Sequence, residues 1–283
     1  MFSSKDPHHL HQLRVASRRL RNALDVFEDV LPRREIKGWK RTVKKLGKVL
    51  SAARDLDVQV QFLHKMLDQQ TSKSDQHFFA HLAEIFLSER QRYQPQIFKA
   101  LNQIRASGTL AELEQDLDRQ AHQSVQPFSL IYEIAHTKIS QRINKLLAHE
   151  KYVNQPRAVH NLHELRIANK QLRYTLETLR TIYSYDIETY LKQILFTHRI
   201  LGKMHDFDIW IRFLNHPPPM SIPRTRSTPV LKKFRTYCQD QRTECYNTFR
   251  VAWHHARANR LFEDLLSYIM SAAMYPPLER TRE

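Results

Sequence analysis

The chain has 283 residues, enough for one large domain or two half-sized ones that each bury a core. Its 45 Lys and Arg against 29 Asp and Glu give a formal charge of +16, a self-repelling balance that points to an anionic partner such as nucleic acid, acidic lipid or a phosphate polymer. The start MFSSKDPHHL lacks the apolar core of a secretion signal, no window reaches the about 18 apolar residues of a membrane helix, and Cys238 and Cys245 stand about 10 Å apart along a helix, too far for a disulfide. A soluble protein of the reducing cytoplasm, with no membrane association, is expected.

Gly occurs only four times and apolar residues recur every three to four positions, so the expected fold is all-α. Asp6 as N-cap and Pro7 at the first helical position open a helix that runs to Leu31, before Pro32. Further helices are predicted at 34–68, 76–104, 109–124, 128–150, 157–183, 186–214, 229–257 and 260–274. The breaks carry turn residues: QQTSKSD at 69–75, ASG at 106–108, Pro127, NQP at 154–156, and 215–229, which holds five of the 12 prolines and is predicted to be a mobile loop.

An internal duplication organises the chain. HQLRVASRRLR at 11–21 and HELRIANKQLR at 163–173 match at an offset of 152. LSAARDLDVQVQFL at 50–63 matches LGKMHDFDIWIRFL at 201–214, pairing Asp55 with Asp206 and Asp57 with Asp208, and QIFKAL at 96–101 matches NTFRVA at 247–252, pairing Phe98 with Phe249. The expectation is two similar helical bundles, 1–153 and 154–283, related by a pseudo-two-fold axis within one domain.

The repeated helix segregates its faces. At about 100° per residue, His8, His11, Arg14, Arg18 and Arg21 share one side, as do His160, His163, Arg166, Lys170 and Arg173. Opposite them a core stripe is expected from Leu13, Ala16, Leu20, Leu24 and Phe27, matched by Leu165, Ala168, Leu172, Leu176 and Leu179. A row of cations is ordinarily a solvated face. Two features favour a ligand instead: the cations lack interleaved carboxylates at i+4, and both copies keep His and cations in the same places. Two such charges 4 Å apart repel by about 4 kcal/mol at an effective dielectric of about 20, so an enclosed cluster calls for a counterion. Arg41 and Lys48 form a second-helix stripe matched by Lys192 and Arg199. Seven residues further, Asp55 and Asp206 are placed to pair with a first-helix Arg and orient its guanidinium. Lys138, Arg142 and Lys145 form one more same-face set without a clear counterpart in the first half.

With these motifs in place, the sequence resembles the CHAD family, the conserved histidine alpha-helical domain, over nearly its whole length. DPHHLHQLRVASRRLR, LHELRIANKQLRY and the RDLDV and HDFDI segments carry the resemblance. It implies two four-helix bundles flanking a central basic pore that binds inorganic polyphosphate, with the motif His, Arg and Lys pointing inward. The sequence departs from the family pattern at Ser51, where Leu-Gly is usual before the Asp motif, and at His205, in place of a polar or basic residue. The resemblance also suggests a role at polyphosphate granules.

Three other chemistries compete. The i, i+3 pairs His8/His11 and His160/His163 have metal-ligand spacing, yet Arg14 and Arg166 beside them oppose a cation. For phosphoryl chemistry there is no Gly-rich phosphate loop, HExxH or alternating Glu-x-Glu-x-Lys; ELEQD at 112–116 ends in Asp. For nucleic acid, the aromatics, among them Phe27, Phe62 and Phe213, stand at core spacing and offer no stacking platform, while charge alone leaves nucleic acid open. The resemblance implies a polyphosphate binder, and the expectation is a non-enzymatic one without cofactor or metal, the alternatives being a polyanion or nucleic-acid binder and, after that, His-based metal binding or a phosphate-processing enzyme.

Overall fold

Helical periodicity over nearly the whole sequence becomes helix over nearly the whole chain. The computed structural model describes residues 7–123, 128–183, 187–216 and 229–274, and no strand occurs among them. In order these residues form α1 (Pro7–Val26), α2 (Arg33–Asp68), α3 (Lys73–Arg92), α4 (Gln94–Ala106), α5 (Thr109–Gln123), α6 (Phe128–Leu147), α7 (Val159–Leu179), α8 (Ile187–Asn215), α9 (Pro229–Ala258) and α10 (Leu261–Met274). The expected Asp6 cap, and the 215–229 loop apart from its ends, lie outside the described residues.

Two boundaries differ from the sequence expectation. The single helix expected at 76–104 is broken at Tyr93, because Pro95 brings no amide hydrogen and its ring crowds the carbonyl four residues back. The first helix stops at Val26 rather than Leu31, and the chain turns through Phe27–Leu31 into α2. Between α4 and α5, Gly108 takes the left-handed conformation (φ 66°) that a side chain would resist.

The helices divide into two compact units. One holds α1 to α5 with the first residues of α9; the other holds α6 to α8, the rest of α9, and α10. Packing and duplication thus draw different lines, since the repeat boundary at 153/154 would leave α6 with the first half. In the structure α6 lies against α7 and α10.

In the first unit the 36-residue α2 is the spine, contacted by α1, α3, α4 and α5. Its buried Ile36, Trp39, Val43, Leu46, Leu50 and Ala53 recur at helical spacing. They join two clusters, one with Leu24, Leu31 and Leu113, the other with Leu10 and Ile97. In the second unit α7 lies between α6 and α8, and the stripe Leu165, Ala168, Leu172, Leu176 and Leu179 is buried as expected. The matching stripe of α1 is a correction. Ala16 is exposed, Leu13, Leu20 and Phe27 are half-buried, and the buried α1 positions are Leu10, Ser17, Asn22, Leu24 and Val26. Leu10, Ser17 and Leu24 match the buried Leu162, Asn169 and Leu176, so the α1 core arc is a narrower version of the α7 arc.

The pairing of Phe98 with Phe249 also fails. Phe249 is fully buried, Phe98 is 46% exposed, and the buried residue of that segment is Ile97 at 2%. Ile97 lies 152 residues before Phe249, the offset of the first motif.

One buried device recurs in both units. Arg90 Nε on α3 donates to Asp57 Oδ1 on α2 at 2.8 Å, with both side chains 10% exposed. Arg242 Nε on α9 donates to Asp208 Oδ1 on α8 at 3.1 Å, with both 11% exposed. Burial pushes the Asp208 carboxyl above the usual carboxylate range, against the pull of Arg242. Each pair ties the long helix that carries the Asp motif, α2 or α8, to the helix packed beside it, α3 or α9.

Candidate anion-binding sites

In the first unit the cations of α1 meet the RDLD segment of α2. Arg14 Nε donates to Ser51 Oγ at 3.3 Å, and Arg14 Nη2 lies 3.9 Å from Asp55 Oδ1. Ser51, the departure noted in the motif, thus supplies a hydroxyl to the central guanidinium, and Asp55 meets the first-helix Arg as expected while remaining 63% exposed. The His11 imidazole is pushed below its ordinary range by burial first, then by the positive charges of Arg54, Arg14, Arg18 and His8. Arg54 was not among the expected residues. The signal was its place beside Asp55, on a helix that packs against α1.

The second unit builds a similar group on α7 and α8. His163 Nδ1 and His205 Nδ1 are 3.3 Å apart, with ring centroids at 4.5 Å. Burial pushes His205 down to about 3, and Arg166, His163, Arg212 and Lys170 add to it in that order. His163 is also lowered, by burial first, then Arg166, with Glu164 opposing. Both imidazoles are neutral at pH 7, so one ring donates to the other and their remaining nitrogens stay available to a ligand. His205, met in the sequence as a departure, stands where Arg54 stands in the first unit, 151 residues earlier. Arg212, two turns further along α8, was not expected.

Other expected residues are dispersed. Arg173 is turned to its own helix: its Nε donates to Glu177 Oε1 at 2.7 Å, and its guanidinium carbon lies 5.1 Å from the Tyr174 ring centroid. The expectation of no carboxylate at i+4 is corrected there. Lys40 on α2, outside the expected set, is held by Asp25 at 2.9 Å and Glu28 at 2.8 Å. Arg21, Arg41, Lys48 and Arg199 are exposed, as is Asp206 on α8. Lys192 lines a groove between α8 and α9. On α6, Arg142 Nη1 donates to Gln171 Oε1 of α7 at 3.3 Å; Lys138 is half-buried and Lys145 exposed. His8 and His160 are exposed at the N-terminal turns of α1 and α7.

The two clusters are rich in donors and positive charge, which suits phosphate-like oxyanions. Among the described residues no three His, Cys, Asp or Glu side chains converge as a metal ion requires. Among the same residues no helix is long and apolar enough to cross a membrane.

The CHAD domain model matches residues 2–215, three-quarters of the chain, including both histidine helices and both Asp segments. The chain belongs to the CHAD family. A solved CHAD domain from the plant Ricinus communis shares the fold, with a TM-score of 0.64 at 24% identity, covering 88% of this chain and 82% of that one. No curated protein sequence matches. In this CHAD chain α9 and α10 lie beyond the family match, and α9 carries Arg242, the buried partner of motif residue Asp208.

Proposed function

We propose that this CHAD protein binds inorganic polyphosphate as a non-catalytic module, through the α1/α2 cluster (His11, Arg14, Arg18, Arg54) and the α7/α8 cluster (His163, Arg166, Lys170, His205, Arg212). The observation that carries the reading is that each unit gathers cations around a histidine on two packed helices, Arg14 meeting Ser51 and Asp55 near His11, and His163 packed on His205 among Arg166, Lys170 and Arg212, with burial first and then these charges lowering the imidazoles. Such a group holds positive potential in reserve for an anion. Guanidiniums grip two phosphate oxygens at once, the accepting ring of the neutral His163–His205 pair keeps one N–H to donate, and a flexible polymer of identical charges can follow several cationic steps. The same clusters are donor-rich, which suits holding a phosphate oxyanion.

Calorimetric titration with polyphosphates of defined length tests the reading. Arg14→Ala/Arg166→Ala should weaken binding by at least about tenfold, because hydrogen bonds to charged groups contribute about 1.5–3 kcal/mol each. Unchanged affinity would reject these sites. Displacement of labelled polyphosphate by single-stranded DNA at equal phosphate concentration would replace polyphosphate selectivity with general polyanion binding.

A further inference from the structure

The groove between α8 and α9 has a volume of about 860 Å³ and walls of mostly carbon, formed by Phe196, Thr197, Val251, Ala252 and Ala256, with Lys192 and His255 among the lining residues. Phe196 is 52% exposed and Val251 65%, large apolar side chains left in water in a chain of +16 charge. The fold does not require them. At the offsets that relate Asp57 to Asp208 and Arg90 to Arg242, 151 and 152 residues, Phe196 corresponds to Lys45 and Val251 to Lys99. The first unit places ordinary solvated cations where the second places an apolar surface, and exposed apolar patches of this kind mark binding surfaces.

The same chain carries a complementary helix. On α5, Leu110 (49% exposed) and Leu117 (46%) stand at i and i+7 with Glu114 between them on one face, and Glu112 and Asp118 add negative charge to the helix. Leu113 anchors α5 to the first unit's core, so the adjoining leucine face is left outward. An acidic amphipathic helix matches an apolar groove with cations at its edge in both hydrophobicity and charge. We infer that α5 of one molecule docks into the α8/α9 groove of a second copy, Leu110 and Leu117 against Phe196 and Val251, with Glu114 toward Lys192. The net positive charge opposes the approach of two copies, so association strengthens as salt screens it.

Sedimentation velocity over a range of protein and salt concentrations tests this without polyphosphate, so its outcome is separate from that of the proposed function. The wild type should show a rising average mass with concentration, and more so at higher salt. Val251→Glu and Leu117→Lys, both surface changes whose folding is checked by circular dichroism, should each weaken self-association at least tenfold. Mixing the two variants should restore one productive contact, since one retains the groove and the other retains the helix. A wild type that stays monomeric throughout overturns the inference. So does a Leu117→Lys chain that associates as the wild type does, even if Val251→Glu does not, because the groove would then hold something other than α5.

Discussion

His205 is held down to about 3 by burial and by Arg166, His163, Arg212 and Lys170. Its folded value lies below the ordinary 6.5, so the unfolded chain takes up its proton first. Stability from this group is present above about pH 6.5 and is lost as pH falls toward 3. His205→Asn should therefore flatten the acid limb of a denaturation series, removing the uptake of about one proton on unfolding. Binding runs the other way: phosphate oxygens beside His163 and His205 favour the protonated rings, so binding takes up protons and affinity rises as pH falls below neutral. Titrations repeated in buffers of different ionisation enthalpy should report that uptake, and its absence would remove the histidines from the contact. In the first unit the half-buried Ser51 hydroxyl accepts from Arg14 Nε. Ser51→Gly should leave the fold intact and loosen Arg14, with a smaller loss of affinity than Arg14→Ala.

At the scale of helices, the Asp57–Arg90 and Asp208–Arg242 pairs fix α2 to α3 and α8 to α9. Removing one partner strands a buried charge, so Arg90→Ala or Arg242→Ala should cost about 3–5 kcal/mol in chemical denaturation. These partners were not legible in the sequence, because helical spacing tells which face Asp57 occupies and not which helix arrives opposite it. The helices themselves were legible almost entirely. Their amphipathic stripes and breaker residues placed all but two features, the early end of α1 at Val26 and the interruption at Tyr93, where the signal, Pro95, lay inside an otherwise unbroken apolar pattern. The limit of the pattern shows in Ala16 and Ala168, equivalent in sequence, of which the first is exposed and the second buried. α7 packs against both α6 and α8, so its core arc is wider than the α1 arc. Ala16→Glu should be nearly neutral, whereas Ala168→Glu should destabilise by several kcal/mol, since it buries an unpaired carboxylate.

At the scale of the molecule, the +16 charge sets how the protein meets its ligand. Every phosphate neutralised releases condensed counterions, so the logarithm of affinity should fall linearly with the logarithm of salt. Arg14→Ala/Arg166→Ala should reduce the slope as well as the affinity. Of the site, the first-helix cations were legible because they repeat. The contacts of Arg54, His205 and Arg212 come from the packing of α2 on α1 and of α8 on α7, and a lone cation on a long helix has no sequence mark to separate contact from solvation. The position of α6 has a practical consequence for dissecting the molecule. A fragment cut at residue 153 would carry α6 away from α7 and α10, uncovering Ile139, Ile143 and Leu146, each at most 1% exposed in the intact chain. Such a piece should aggregate, and its C-terminal complement should melt broadly. Severing the chain between α5 and α6 leaves the second core whole, so residues 126–283 should unfold as one cooperative body in calorimetry.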